Sequence, residues 1–213
     1  ETAVYGRMWN AGQVCVSPKR IIVPEPKKTE FLNKVKVIFG KLKVGNPLDA
    51  DTDVAPLSSE KAAQDVEKQI QKAAQQGAKI ELGGKRLDRP GAFLEPTLIT
   101  GVTPDMDAFY EEIFGPVFVL YSYKTVEDAI KLANATDFGL GGTVFGKDIE
   151  KAKAVARKID TGMVYINHVT GIAPELPFGG TKRSGYGREQ SPAAIYEFVN
   201  AKLIRVTEPD NLY

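Results

Sequence analysis

PVFVLYSYKTVEDAIKLAN, residues 116–134, is the stretch that decides the fold. No charge interrupts Val117 to Tyr121, and the run is short, β-branched and aromatic, so it reads as a buried strand. Thr125, with Asp128 three residues on, forms a capping box that starts a helix at once. Working outward, GGTVFG (141–146) predicts a strand, DIEKAKAVARKI (148–159) a helix burying Ala152, Val155, Ala156 and Ile159, and GMVYIN (162–167) another strand. Upstream, KRIIVPE (19–25) reads as a strand and KTEFLNKVKVIFGKL (28–42) as a helix with Leu32, Val35, Phe39 and Leu42 inward. GNPLDADTDVAPL (45–57) is an ordered loop. SEKAAQDVEKQIQKAAQQ (59–76) follows as a helix, capped by Ser58 or Ser59, striped by Ala62, Val66, Ile70 and Ala73, and ended by Gly77. AKIELGG (78–84) and FLEPTLITGV (93–102) are extended, PAAIYEFVN (192–200) helical and AKLIRVTE (201–208) strand-like. Strands separated by single helices predict an α/β fold: a three-layer α/β/α arrangement with a mainly parallel twisted sheet.

Composition bounds the function. The chain has 213 residues, and 28 Lys+Arg against 27 Asp+Glu leave a net charge of +1, which argues against a polybasic nucleic-acid or membrane surface. A 43% hydrophobic and 26% charged content suits a soluble protein with a core. No apolar run approaches the ~20 residues of a spanning helix, and ETAVYGRMWN carries no leader signature. A single cysteine excludes an intrachain disulfide and a cysteine-rich zinc site, and makes a reducing, cytoplasmic setting the expectation. The absent initiator Met suggests a piece of a longer chain.

Three segments carry candidate chemistry. Cys15 lies in NAGQVCVS. A lone cysteine is ordinarily a small buried hydrophobe. Asn10, Gly12 and Gln13, however, are poor core material and good turn formers, and such a turn can expose a thiol and aim backbone N–H groups at an oxyanion. EEIFGP (111–116) sets an acidic pair before a buried strand, close to where open α/β sheets bind ligands; alone it would read as a solvated loop. ELPFGGTKRSGYGRE (175–189) packs Gly179, Gly180, Gly185 and Gly187 beside Phe178 and three cations, a loop of special backbone conformations. Its spacing fails the dinucleotide fingerprint, as does that of FGLGGTVFG. His168 is the only histidine, so any Ser-His-Asp or Cys-His pair must use it. A single His after a strand reads first as a loop or pocket-lining residue.

Taken in order, GRMWNAGQVCVSPKRIIV, EEIFGPVFVLY, GMVYIN and PFGGTKRSGYGRE resemble the catalytic domain of the NAD(P)-dependent aldehyde dehydrogenase superfamily, and the wording is most similar to bacterial succinate-semialdehyde dehydrogenases. The resemblance runs from residue 1 to about Glu208. It implies Cys15 as the nucleophile, with its own N–H as half of an oxyanion hole. It implies Glu112 as acceptor for the nicotinamide ribose hydroxyls and Phe114 as packing for the nicotinamide ring. The substrate pocket it implies is lined by Trp9, Val14, Val16, His168 and Phe178. The cofactor would be NAD or NADP, bound mainly by a domain that precedes this region in family members, and no metal is implied. The general base of the family lies in a Glu-Leu-Gly-Gly segment before the cysteine. Here ELGG places Glu81 after Cys15, so Glu81 is not that base.

The expected organisation is a catalytic domain over 1–200 and a C-terminal strand or tail over 201–213 used in oligomer contacts. The expected partners are a small aldehyde and further copies of the chain, as a homodimer or homotetramer, with no nucleic acid and no membrane. A semialdehyde acid needs a cation for its carboxylate. The position where some relatives carry an arginine is Trp9, that of their second cysteine is Ser17, and Lys182, Arg183 and His168 stay open as anchors. The alternative is a non-catalytic α/β assembly module whose terminal strand seeks a partner.

Overall fold

The structure, a computed structural model, describes residues 1–209. The last part of the expected 201–213 segment, residues 210–213, lies outside the described residues. In chain order the elements are α1 (Thr2–Met8), β1 (Ile21–Pro24), α2 (Lys28–Phe39), α3 (Glu60–Gln75), β2 (Lys79–Leu82), β3 (Thr97–Thr100), β4 (Val117–Tyr123), α4 (Val126–Asn134), β5 (Phe138–Gly139), β6 (Gly141–Val144), α5 (Ile149–Ala156), β7 (Met163–Ile166) and β8 (Thr181–Lys182). Short 3₁₀ turns cover Trp9–Gly12, Glu25–Lys27, Asp107–Phe109 and Pro192–Glu197.

β4 is the centre of a four-stranded sheet ordered β1-β4-β3-β2. It pairs in parallel with both neighbours, Ile21 opposite Leu120 on one side and Ile99 opposite Val119 on the other. β2 closes the edge antiparallel to β3. Alternation along β4 then builds two cores. Val117, Val119 and Tyr121 join Val66, Ile70 and Ala73 of α3 on one face, with Leu132 of α4 at the margin. Phe118 and Leu120 join Val4 and Met8 of α1 and Val35 and Phe39 of α2 on the other. The result is an α/β fold with helices on both faces of a mainly parallel sheet, as expected. β6 and β7 form a further parallel pair, and β5 and β8 an antiparallel one.

The chain follows its local signals where the chemistry is local. Ser59 Oγ accepts from Ala62 N–H, and Thr125 with Asp128 forms the complete capping box. The buried stripe of α3 is Ala63, Val66, Ile70 and Ala73; Ala62 is only partly covered, because the helix turns one residue further before it meets the sheet. PAAIYEFVN is a 3₁₀ turn rather than an α-helix, following Gln190 and Ser191 in the left-handed region. AKLIRVTE forms no strand: Leu203, Ile204 and Val206 lie exposed, and among the described residues no strand pairs with them. Among the described residues, no helix is long and apolar enough to cross a membrane.

Candidate active site

α1 leads directly into a backward turn. Asn10, Ala11 and Gly12 have φ of 48°, 53° and 75°, three successive left-handed residues, a conformation that costs an L-residue about 1–2 kcal/mol. Side chains hold it in place. Gln13 N–H and Nε2 both donate to Asn10 O, at 3.0 and 3.2 Å, while Asn10 Nδ2 donates back to Gln13 O at 3.3 Å. Gln13 Oε1 accepts from Ser58 N–H at 2.8 Å, tying the turn to the segment just before α3. Gly12 lies against the strand-entry loop: a Cβ there would fall 2.0 Å from Gly115 O. The chain then presents Cys15 to solvent and dives inward at Val16 and Ser17, both buried.

Two cations bind this turn to the loop preceding β4. Arg7, on the same side of α1 as Val4, is fully buried. Its guanidinium donates to Ile113 O (2.7 Å), Gly115 O (2.6 Å), Val117 O (2.5 Å) and Ser17 Oγ (2.8 Å), and Ser17 Oγ donates to Arg7 O at 3.2 Å. Burial pulls its pKa down to about 10, against the opposing charge of Glu112. Lys19 Nζ donates to Val14 O (2.9 Å), Ser17 O (3.0 Å) and Cys15 O (3.4 Å). The same ammonium lies 3.1 Å from Glu112 Oε1 and 5.1 Å from the centre of the Phe114 ring. Burial first, and then the neighbouring Arg7 charge, lower its pKa to about 8, with Glu112 pulling the other way.

Cys15, Glu112 and Phe114 are therefore brought to one place by Gly12, Arg7 and Lys19. The remaining expected residues divide. Val14 and Val16 flank the thiol, Val14 half-buried and Val16 packed inward, so their positions differ as the turn unwinds toward the core. Trp9 is 46% exposed at the end of α1. His168 is exposed, with Nδ1 2.7 Å from Val169 O. Its loop reaches α1 through Val169, whose Cγ1 would lie 2.7 Å from a Cβ at Gly6. Phe178 pairs with Glu189 through two backbone hydrogen bonds and lines a cavity of about 260 Å³ with Gly187 and Phe198. Among the described residues, no hydrogen bond or ring contact joins His168 or Phe178 to the Cys15 turn.

The open anchors are engaged elsewhere. Lys182 Nζ donates to Asn134 O and Thr136 O at the C-terminal end of α4 and pairs with Asp160 at 3.0 Å, and the Arg183 guanidinium sits 5.6 Å over Phe138. Glu81 lies on β2, bonded to Lys36, Lys79 and Thr100. Burial alone would raise its pKa, but these three donors hold it down at about 2. It is a structural carboxylate, paired away from Cys15.

Arg7 and Lys19 were not singled out by the sequence reading. Arg7 had a legible signal: in TAVYGRMWNA it sits three residues after Val4, on a stripe that Met8 and Ala11 continue, where an arginine marks a buried cation. Lys19 had none, because its partners Glu112 and Phe114 are remote in sequence.

The chain has similar relatives. The profile described as "Aldehyde dehydrogenase family" matches residues 1–204. The chain is 48% identical over 205 residues to the succinate-semialdehyde dehydrogenase [NADP(+)] of Deinococcus radiodurans, covering 96% of this chain and 43% of that protein. It is similar to the crystal structure of succinic semialdehyde dehydrogenase from Streptococcus pyogenes in complex with NADP+, at TM-score 0.94 and 46% identity, covering 97% of this chain and 46% of that one. Betaine aldehyde dehydrogenase from Staphylococcus aureus in complex with NAD+ gives TM-score 0.89 at 40% identity, over 92% of this chain and 40% of that one. The chain thus spans less than half the length of these relatives. A profile match over residues 1–204 and 46–48% identity over nearly the whole chain place this chain in the aldehyde dehydrogenase family.

Proposed function

We propose that the chain is the nucleophile-bearing catalytic region, residues 1–200, of an aldehyde dehydrogenase that oxidises succinate semialdehyde, with NADP or NAD as hydride acceptor. The observation that supports this is an exposed Cys15 just after a left-handed turn whose Gly12 abuts Gly115, in the loop that carries Glu112 and Phe114.

The residues fit a nicotinamide nucleotide. Glu112 Oε2 has no hydrogen-bond partner among the described residues, leaving an acceptor for ribose hydroxyls, and Phe114 is 41% exposed, leaving a ring face for packing. When bound, the nicotinamide supplies the hydride acceptor. Cys15 Sγ, as thiolate, adds to the aldehyde carbon; the carbonyl oxygen becomes an oxyanion facing the Cys15 N–H. Loss of hydride from that carbon leaves a thioester on Cys15. Water then cleaves the C–S bond, releasing the acid and restoring the thiol. The general base for that water lies outside these residues in this reading, so residues 1–213 alone are expected to produce no steady NADPH or NADH.

Relatives named for succinate semialdehyde support that substrate. Lys182 and Arg183 give it no support, being engaged around α4 and β5. The exposed Leu203, Ile204 and Val206 support a strand that gains its partner in a homodimer or homotetramer. The test compares succinate semialdehyde with butyraldehyde on the full-length protein and its Cys15→Ala variant. The acid should lead by about one to two decades in kcat/KM, the effect of a charged hydrogen bond of ~1.5–3 kcal/mol. Equal efficiencies would discard the semialdehyde, and undiminished turnover by Cys15→Ala would discard the mechanism.

A further inference from the structure

One ammonium joins the Cys15 turn to the loop that carries Glu112 and Phe114. Lys19 Nζ donates to the carbonyls of Val14, Cys15 and Ser17, which are the backbone of the nucleophile turn. It also pairs with Glu112 Oε1 at 3.1 Å and lies 5.1 Å from the Phe114 ring centre. We propose that Lys19 is the positioning residue that sets the Glu112 carboxylate against the Cys15 turn, so that the ribose-binding oxygen and the nucleophile keep one register. The proposal rests on the dehydrogenase reading above and assigns Lys19 a part in it.

A lysine used only to brace the turn would need its carbonyl contacts alone. Here the ion pair crosses from that turn to a loop nearly a hundred residues later, and it engages Oε1 only, leaving Oε2 free. Glu112 has no other side-chain partner among the described residues. Its side chain is about one-third exposed, and without Lys19 it would sample several rotamers, so that ordering it would fall on cofactor binding. Lys19 itself is fixed at several points. Neighbouring charge from Arg7 and Glu112 and the nearby Cys15 are the titratable surroundings it faces.

A double-mutant cycle on NADP+ binding by the full-length protein separates positioning from bracing, read by fluorescence titration at pH 7. Lys19→Met should weaken NADP+ about tenfold when Glu112 is present, one decade being about 1.4 kcal/mol, and less than about twofold in the Glu112→Gln background. Lys19→Arg keeps the charge and should bind within about threefold of the parent protein. Equal weakening by Lys19→Met with and without the Glu112→Gln substitution would overturn the proposal, as would a Lys19→Arg variant no better than Lys19→Met. Should Lys19→Met fail to fold, Lys19→Gln takes its place in the cycle and is judged by the same coupling. Binding is read without turnover, so additivity defeats the Lys19 proposal alone. Absence of saturable NADP+ binding by the unmodified protein defeats the cofactor reading as well.

Discussion

Gly12 and Gly115 meet backbone to backbone: a Cβ on Gly12 would stand 2.0 Å from the Gly115 carbonyl oxygen, and Gly12 has φ of 75°. This contact brings the Cys15 turn against the loop that carries Glu112 and Phe114. No side chain fits there.

Gly12→Ala should therefore destabilise the protein well beyond the ~1 kcal/mol of left-handed strain, and should lower activity with it. Gly185→Ala is the matched control, since Gly185 has φ of 92° with nothing within 4 Å of its Cβ position. Urea unfolding of both variants measures the difference. Equal losses would contradict the close approach.

Cys15 is exposed in the folded chain. Iodoacetamide should label it under native conditions at a rate within about tenfold of the urea-unfolded protein. Mass spectrometry follows the adduct. Protection that persists until unfolding would mean a structural thiol.

Glu81 gives a pH-dependent contribution. Its folded pKa, about 2, lies below the ordinary 4.5, so its stabilisation is fully present above pH 4.5 and fades as pH falls toward 2. Glu81→Gln should cost roughly 1–3 kcal/mol at pH 7, the pair with exposed Lys79 contributing least. The loss should shrink as the pH is lowered through that window. A loss independent of pH would place the effect in packing.

Arg7 carries three backbone carbonyls and the Ser17 hydroxyl at zero exposure. Arg7→Ala removes the guanidinium donors from these buried carbonyls, of which Gly115 O keeps the Val117 N–H at 2.7 Å, and should cost about 3–5 kcal/mol. Arg7→Lys retains charge without the fork and should recover only part of it. Thermal unfolding of the two variants ranks them, and full recovery by Lys would show that charge alone matters.

The elements most legible in the sequence are those whose cause is short-range. The Thr125–Asp128 box and the Ser59 cap act within one helical turn, and the apolar run of β4 identifies its own burial. Cys15, Glu112 and Phe114 were legible only as a set, through family resemblance, because nothing local says that two loops so far apart meet. Lys19 was missed for that reason, and Arg7 although its place on the stripe of Val4, Met8 and Ala11 was legible. Residues 201–208 depend on something beyond the local sequence: apolar Leu203, Ile204 and Val206 read as strand-like, and the described residues offer them no neighbouring strand to pair with.

The Arg7 to Val117 hydrogen bond joins residues 110 apart. During synthesis at ~5–20 residues per second, the arginine and its adjoining cysteine turn are made roughly 5–20 s before the carbonyls that receive them. Loop closure of that span is slow and entropically costly. The nascent turn therefore waits, with three of the guanidinium's four acceptors still unmade, until translation reaches β4.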